Sequence, residues 1–335
     1  MTTEASIQLT SSELGTLWMT YLQKSAKIKL FECLKEKTID KEAQSIINNY
    51  VMDTQNIINN IENIFNKEKA AIPLGFDEHD FIKEVPIIFD DIFNIVFLRQ
   101  MMKLSFGYSG VFASISYMKE VNDIFLNQYV VANKYYMLTT NYLLGKGILT
   151  KPPYVTMPKQ VEFIEDKSYM SGLNIFSHKR TLNTIEIGYI NETIENHNFN
   201  IHLMTGFAQV ASESKIKKYF IEGKEMSEKV VKDLSEILLQ SDITPSFSSV
   251  GRVTDSTKAP FSDKVMMYIN SLMASTTLGL SALGTSFSMR KDLPIKLAQL
   301  VKYKLDYSIN GAKIMIEHKW MEEPPQMDDR NQLTK

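Results

Sequence analysis

Cysteine, glycine and proline are scarce in this chain of 335 residues, and neither sign of charge is in large excess. Cys33 is the only cysteine, which excludes an intramolecular disulfide and is typical of a reducing cytoplasm. With only 14 Gly and 10 Pro, the chain is neither collagen-like nor disordered. A net charge of -2 offers no basic field for nucleic acid or an anionic membrane. We therefore expect a globular, cytoplasmic protein that does not bind nucleic acid.

Segments that direct a chain into or across a membrane are also lacking. Residues 1–12 have neither a basic region nor an apolar core, so we expect no signal peptide. Residues 265–289 carry no charge, and a stretch of this length could span a bilayer. Its many Ser, Thr and Asn side chains are unsuited to lipid. The sequence therefore predicts a buried core helix here and no membrane insertion.

Motifs of the common enzyme classes are absent. The sequence has no Gly-rich phosphate loop, no Gly-x-Ser-x-Gly elbow and no Cys-x-x-Cys pair. Cys33 has no histidine near it in sequence, which makes a nucleophilic role improbable. Two short lysine clusters are interpreted as solvated helix faces rather than nucleic-acid contacts: Lys24, Lys27 and Lys29, and Lys215, Lys217 and Lys218. We expect no enzymatic activity.

The strongest positive feature is an internal duplication. Landmarks of the first half return in the same order about 172 residues later. They include Glu13 and Glu186, Phe89 and Phe261, Asp91 and Asp263, Gly107 and Gly279, Ser109 and Ser281, Ser114 and Ser286, and Pro152 and Pro324. Such a repeat indicates two domains of the same fold. We predict a first bundle in residues 1–150, a connector in 151–180 and a second bundle in 181–335.

Each repeat is predicted to contain four helices. In the first helix of each, a cap residue (Thr10 or Asn183) is followed three positions later by Glu13 or Glu186, the pattern of a capping box. These glutamates are interpreted as helix caps rather than catalytic groups. The later helices are predicted over residues 40–67, 87–117 and 121–149, and over 213–240, 261–289 and 293–320, from apolar residues at steps of three and four.

The predicted fold class is therefore all-α, with two tandem four-helix bundles and short loops inside each. The connector combines prolines with alternating apolar residues, and we expect it to be ordered and mostly extended. Asp91 and Asp263 stand near the start of the third helix, where a carboxylate complements the helix dipole. One apolar seam position of the first helix is polar in both copies, as Lys24 and His197.

A bundle of this size invites a di-iron site, which needs inward carboxylates on four helices and two Glu-x-x-His pairs. No Glu in the chain is followed three residues later by His, and residues 14–31, 92–119 and 124–149 contain no acidic residue. We expect neither a di-iron site nor another cofactor. A mononuclear metal site could be imagined in the second repeat, but surface charges and one core histidine are the favoured interpretation of its candidates, Glu192, Glu195, His197, His202, Glu317 and His318.

The third helix of each repeat carries a face of small residues. Close helix packing within the chain is the favoured explanation. A narrow polar cavity, or a contact between repeats or subunits, is the alternative. The face comprises Gly107, Ser109, Gly110, Ala113 and Ser114, and Gly279, Ser281, Ala282, Thr285 and Ser286.

Several motifs of the second repeat and the connector together resemble a known family. They lie at residues 152–155, 179–180, 253–257, 260–267, 311–316 and 320–330. The sequence is similar in these motifs to domain of unknown function 3231, common in spore-forming bacilli. The first repeat departs from the pattern, because Phe89 and Asp91 keep only part of the Phe-Ser-Asp-Lys motif at 261–264. The resemblance implies tandem ferritin-like four-helix bundles and a cytoplasmic or spore-associated setting, but no activity, catalytic residue or cofactor.

The sequence thus favours a non-enzymatic structural or interaction module of a spore-forming bacterium, with an unknown protein partner. The alternative is a bundle that binds a small ligand or a metal, with His197, Asp263, Ser281 and Ser286 around a polar pocket in the second repeat. The two hypotheses predict different placements. Ligand binding requires these side chains to face one cavity, whereas a module would pack them or use them at helix ends.

Overall fold

A computed structural model describes residues 8–82, 84–172, 179–245 and 247–334. The long helices of this part of the chain form two sets of four. The first set comprises α1 (Ser11–Lys37), α2 (Lys41–Glu68), α3 (Asp91–Ser114) and α4 (Lys119–Gly145). The second set comprises α5 (Thr184–Val210), α6 (Ser214–Leu239), α7 (Asp263–Phe287) and α8 (Asp292–Glu317). A short helix, α9 (Arg330–Leu333), follows. The predicted all-α tandem fold is confirmed.

The first helix of each repeat begins with the predicted capping box. The Thr10 hydroxyl accepts from the backbone N–H of Glu13 at 3.3 Å, and the Thr10 N–H donates to Glu13 Oε2 at 2.9 Å. Asn183 and Glu186 make the same two bonds at 2.9 and 3.0 Å. The local spacing of cap residue and glutamate thus sets both helix starts.

The third helices are shorter than predicted at both ends. Asp90 caps α3 by accepting from Phe93 N–H at 2.9 Å, and the Ser262 hydroxyl caps α7 by accepting from Val265 N–H at 3.2 Å. The residues before these caps are not helical. Side-chain caps therefore start these helices two to four residues after the predicted positions.

Each repeat consists of two hairpins joined by a long crossover. Residues 69–90 connect α2 to α3, and residues 240–262 connect α6 to α7. The prediction of short loops is correct within the hairpins and wrong for this connection. Asp91, at the start of α3, accepts a hydrogen bond from Ile39 N–H in the turn between α1 and α2. Because α2 runs away from that turn, the chain must return along the whole bundle before α3 begins.

The two crossovers pair with each other in an antiparallel arrangement. Isolated bridges join Phe81 to Phe261 and Phe89 to Val253. Ile82 N–H donates to Pro260 O at 3.0 Å, and Thr254 N–H donates to Ile88 O at 3.0 Å. Adding 172 to the first-repeat residue of one bond and subtracting 172 from its second-repeat residue gives the other bond. An approximate two-fold axis therefore relates the two repeats and passes between their crossovers.

Helix contacts between the repeats follow the same axis. α1 packs against α7, α3 packs against α5, and α3 contacts α7. The two-fold axis exchanges the α1–α7 contact with the α3–α5 contact, and it maps the α3–α7 contact onto itself. Phe93 of α3 stacks on Phe199 of α5 with ring centroids 5.2 Å apart. One hydrophobic core runs through the first bundle and into part of the second, and a smaller cluster around Ile190, Leu234 and Leu297 fills the rest.

Among the described residues, no helix is both long and apolar enough to cross a membrane. The uncharged stretch at 265–289 forms most of α7, whose first half is buried in the core as predicted. Residues 151–172 of the predicted connector are mostly exposed and contain one 3-10 turn, Lys167–Met170. Its residues 173–178, and residues 1–7 of the segment considered for a signal peptide, lie outside the described part.

Candidate functional site

Two carboxylates in the first repeat, Glu13 and Asp91, accept hydrogen bonds from backbone N–H groups in the turns at the two ends of the bundle. We call them and their counterparts the fastening carboxylates. Besides capping α1, Glu13 accepts from the N–H groups of Tyr117 and Met118 at 2.8 and 2.5 Å, in the turn before α4. Asp91 accepts from Asp40 N–H at 2.7 Å, in the turn before α2. Burial alone raises the pKa of the Glu13 carboxyl, but the hydrogen bonds it receives outweigh burial and lower that pKa.

The second repeat has the same pair of fastening carboxylates. Glu186 accepts from the N–H groups of Met289 and Arg290 at 3.2 and 3.1 Å. Asp263 accepts from Ser212 N–H at 3.2 Å and from the Ser212 hydroxyl at 2.5 Å. Both carboxylates therefore hold a turn of the bundle by hydrogen bonds, in addition to the capping and dipole roles that the sequence predicts for them.

The structure does not bring the four predicted ligand-binding residues together. Asp263 and Ser286 lie near opposite ends of α7, roughly 34 Å apart at 1.5 Å per helical residue. Ser286 is exposed and donates to Ala282 O at 3.0 Å, whereas Ser281 and His197 are buried. No single cavity can hold all four side chains, because α7 is continuous between them. Ligand binding by any one of them stays a prediction.

His197 lies among buried polar side chains in the second bundle. Its Nδ1 has no hydrogen-bond partner among the described residues. Burial and the nearby Lys304 ammonium hold the pKa of His197 well below its ordinary value. Lys304 is itself buried, and burial lowers its pKa to about 7. The core of this bundle therefore contains two basic side chains whose charged forms are strongly disfavoured.

The first bundle has a similar pair, and it contradicts the prediction of a solvated lysine face. Lys24 is 2% exposed and Lys27 is 0% exposed. Lys27 Nζ donates to Ser105 Oγ at 3.3 Å, and burial lowers the pKa of Lys24 to about 7. The prediction fails because α1 packs against helices of both bundles, so few of its positions reach solvent. Lys215, Lys217 and Lys218 are exposed as predicted.

The residues of the imagined mononuclear metal site have other partners. His318 Nε2 lies 3.0 Å from Glu213 Oε1, and Glu317 pairs with Lys215. His202 Nδ1 lies 3.0 Å from Asn198 O in its own helix. Within the described ranges, no group of three or more His, Cys, Asp or Glu side chains is placed to hold a metal ion.

Glu192 and Glu195 instead enter a charged cluster between the repeats. Arg99 of α3 pairs with Glu195 of α5, and its Nε donates to Thr140 Oγ1 at 3.1 Å. Lys103 Nζ lies 2.8 Å from Glu195 Oε1 and 2.9 Å from Glu192 Oε1. Burial raises the pKa of Glu195, but Lys103 and Arg99 outweigh burial and lower that pKa. We call this group the Arg99 cluster.

On the other side of the two-fold axis, the corresponding place is a cavity of about 130 Å³. The residues that correspond to Arg99, Tyr136, Thr140 and Glu195 are Ser271, Ser308, Ala312 and Leu22, and all four line this cavity. Each one is smaller or more apolar than its counterpart. The cavity exists because no side chain in the second half of the interface takes the place of the Arg99 guanidinium.

The face of small residues on α3 and α7 is packed at Ser109 and Ser281, which are buried, but not at its glycines. Gly107, Gly110 and Gly279 are exposed, and a Cβ built on each meets nothing within 4 Å. Gly107 and Gly279 line an open groove of about 730 Å³ where α3 passes α7. Val111 and Leu283, which are 57% and 48% exposed, line the same groove. We call this surface the α3–α7 groove.

Comparisons with known proteins match the chain to a family and to a solved structure. The model of a family described as protein of unknown function (DUF3231) matches residues 1–161 and 170–333. No curated protein matches the chain significantly. A crystal structure from Bacillus halodurans, provisionally described as a spore coat protein, is similar over 45% of this chain and 98% of its own. That similarity has 18% sequence identity and a TM-score of 0.40.

Proposed function

The chain belongs to the DUF3231 family of proteins of unknown function, and we propose that it is a non-enzymatic module that self-associates through the α3–α7 groove. Family membership names no activity, so the proposal rests on one observation. Apolar residues at corresponding positions of the two repeats, Val111 and Leu283, lie on opposite walls of the groove and are exposed to solvent.

The apolar wall continues beyond the groove along both helices. Four residues further on from Val111 and Leu283, Ile115 and Phe287 are 37% and 54% exposed. Leu283 and Phe287 are four apart in α7 and lie on the same face of that helix, whereas Ile115 directly follows the last residue of α3. Each repeat therefore contributes exposed apolar residues at this end of the groove. A contiguous exposed apolar surface is typical of a protein–protein contact site.

A second copy of this chain is the occupant that the groove fits best. In a symmetric dimer, the same surface of each subunit meets itself across a two-fold axis. The groove has corresponding residues on its two sides, with Gly107 and Val111 on one and Gly279 and Leu283 on the other. The rest of its lining comes mostly from the first repeat and includes Lys103. The glycines let another helix approach closely. The groove also continues the contact between the repeats, where Tyr108 Oη lies 2.6 Å from Ser275 Oγ.

The proposal includes the absence of catalysis. Lysines with lowered pKa values are frequent in active sites. Lys24 and Lys304 have such pKa values, yet neither lines the cavity or the α3–α7 groove. The two-hairpin bundle with one crossover supports a ferritin-like classification. A cytoplasmic or spore-associated setting in a spore-forming bacterium belongs to the same proposal and comes from the sequence resemblance.

Sedimentation velocity of the full-length protein tests the self-association. We expect a mass of twice the chain that falls to one chain on dilution. Val111→Glu together with Leu283→Glu should shift the dissociation constant by at least about 100-fold, since two carboxylates would be buried unpaired in the contact. Val130→Glu, on the exposed side of α4 and outside the groove, is the matched control and should leave the mass unchanged.

A chain that stays monomeric at high concentration would contradict the proposal. So would a dimer that tolerates both glutamates, or one that Val130→Glu disrupts equally. Turnover of a substrate that is abolished by replacing one buried polar residue would contradict the non-enzymatic part.

A further inference from the structure

We propose that the cavity beside Ser271 binds a small, uncharged aromatic molecule carrying one hydrogen-bonding group, with phenol as the simplest example. The cavity lies between the bundles. Leu22 of α1 and Gly75 and Phe76 of the crossover line it from the first repeat. From the second repeat, α7, α8, the segment after α8 and one residue of α6 line it. Most of its wall is apolar or aromatic, including Phe76, Met267, Tyr268, Met315 and Trp320.

The size of the cavity limits the ligand to about one ring. Its volume is about 130 Å³, and apolar protein cavities of roughly 150 Å³ bind benzene. A ligand of this size would contact side chains on both sides and recover the dispersion contacts that a packed interior has.

The charged groups at the edge of the cavity already have partners within the chain. Lys264 Nζ donates to Gly75 O at 3.1 Å and lies 4.6 Å from the centre of the Phe76 ring. The Glu322 carboxylate accepts from the N–H groups of Leu74 and Gly75 at 2.9 and 2.7 Å. Neither charge needs a counterion from the ligand, so an uncharged ligand is favoured.

One polar group of the wall does need a partner. The Ser308 hydroxyl is buried and has no hydrogen-bond partner among the described residues. A buried hydroxyl without a hydrogen bond is destabilising. Because this oxygen is buried, the Ser308 side chain would have to rotate toward the cavity before a ligand hydroxyl could donate to Oγ or accept from it. That contact would add one directional interaction to an otherwise apolar site. This asymmetry favours phenol over benzene.

The other half of the interface shows why the site is single. At the corresponding place, the Arg99 guanidinium lies among Thr140, Tyr136 and Glu195 and occupies part of the space. A smaller pocket of about 70 Å³ remains there, and its lining includes Glu192, Glu195 and Lys151. Exchanging the repeats therefore does not give a second apolar site of the same size. We expect one phenol per chain.

Calorimetric titration of the full-length protein with phenol and with benzene tests the proposal. Ala312→Leu places a larger side chain in the cavity and should weaken phenol binding more than about ten-fold. Asn310→Leu, on an exposed position of the same helix, is the matched control and should leave the affinity unchanged. Ser308→Ala should weaken phenol about five-fold and leave benzene unaffected, as expected for the loss of one neutral hydrogen bond.

Failure of phenol to bind the unmodified protein would overturn the proposal. Equal binding by Ala312→Leu and the unmodified protein, or equal weakening by Asn310→Leu, would overturn the location. An equal effect of Ser308→Ala on phenol and benzene would overturn the role of the hydroxyl. Because Ser308→Ala removes a single buried oxygen atom, it keeps the test decisive if Ala312→Leu fails to fold.

Discussion

The two halves of the interface between the repeats have the same helices in the same places, yet one half holds a charged cluster beside a pocket of about 70 Å³ and the other contains a larger, mostly apolar cavity. Arg99 reaches across to Glu195 in the first half, whereas Ser271 and Leu22 leave about 130 Å³ in the second. Because the backbone is duplicated, differences between side chains at corresponding positions, such as Arg99 and Ser271, account for the difference.

The comparison separates structural features from candidate functional ones. Glu13 and Glu186 cap corresponding helices and fasten corresponding turns, and Asp91 and Asp263 do the same at the opposite end of each bundle. These carboxylates are present in both halves because both folds need them. A feature found in one half alone, such as the apolar cavity of about 130 Å³, is not needed by the fold that the two halves share and is therefore a candidate for a separate function.

Replacing Arg99 should have the largest effect on stability. Arg99→Ser introduces the residue found at the corresponding position and removes one partner of a largely buried ion pair. Such a loss typically costs about 3–5 kcal/mol, and urea unfolding measures it. Ser271→Ala, the matched change in the other half, should cost less than about 0.5 kcal/mol because Ser271 is exposed.

The double variant Arg99→Ser with Glu195→Leu tests whether the ion pair is the cause of the difference between the two halves. It removes both members of the ion pair and imitates the second half, so it should be more stable than Arg99→Ser alone. If the double variant were less stable than both single variants, the charged cluster would not be the reason that the two halves differ.

Replacing Glu13 or Glu186 should lower stability less than replacing Arg99 does, and by a similar amount in both halves. Glu13→Gln replaces an acceptor of backbone N–H groups by an amide with only one acceptor oxygen, and Glu186→Gln does the same in the second repeat. We expect each change to cost about 2–3 kcal/mol at pH 7. An effect in only one repeat would contradict the equivalence of the two turns.

The pH dependence follows from the lowered pKa values of Glu13 and Glu186. A carboxyl whose pKa is lower in the folded state stabilises the fold fully above its unfolded pKa of 4.5. That stabilisation is lost as the pH falls through the folded value. Each glutamine variant should therefore lose less stability than the unmodified protein between pH 5 and the acid transition, as measured by thermal unfolding.

Replacing a buried lysine should give the smallest of these changes in the free energy of unfolding, and it should stabilise the protein rather than destabilise it. Lys24→Met removes a buried ammonium and should stabilise the protein by about 1–2 kcal/mol at pH 7. The pKa of Lys24 is about 7 in the fold, against 10.5 ordinarily, so the unfolded chain binds more protons between these values. Stability should rise from about pH 7 to 10.5, and less steeply in the variant. Lys29→Met, which removes a partly exposed lysine, is the control; equal slopes in all three proteins would contradict the burial of Lys24.

Local patterns predicted the helices well, and long-range packing explains what they missed. The spacing of Thr10 and Glu13 fixes a helix start within a few residues, so it can be read from the sequence. The position of Lys24 on the apolar seam of α1 was a sign of its burial, whereas Lys27 is buried by a long-range contact with Ser105 of α3, which no periodicity in α1 reports. The cavity could not be predicted either, because its wall combines Leu22 with residues almost 300 positions away.

The Arg99 cluster did leave a signal in the sequence. Arg99 is the only charge among residues 92–102, a stretch otherwise apolar enough for a core helix. A buried arginine needs a carboxylate partner. The acidic residues Glu192 and Glu195 lie three apart on α5, and neither has a lysine or arginine within four residues. The sequence therefore indicates that Arg99 pairs with these glutamates, although the two-fold arrangement of the bundles is needed to show how they come together.

Methyl spectra of the methionines in full-length protein saturated with phenol test the central claim most directly. The account predicts that the methyl signals of Met267, Met315 and Met321, which line the cavity, shift while those of Met101 and Met102 in the first repeat do not. Equal shifts in both repeats, or no shift at Met267 and Met315, would contradict the claim that the duplicated interface has an apolar ligand cavity in one half only.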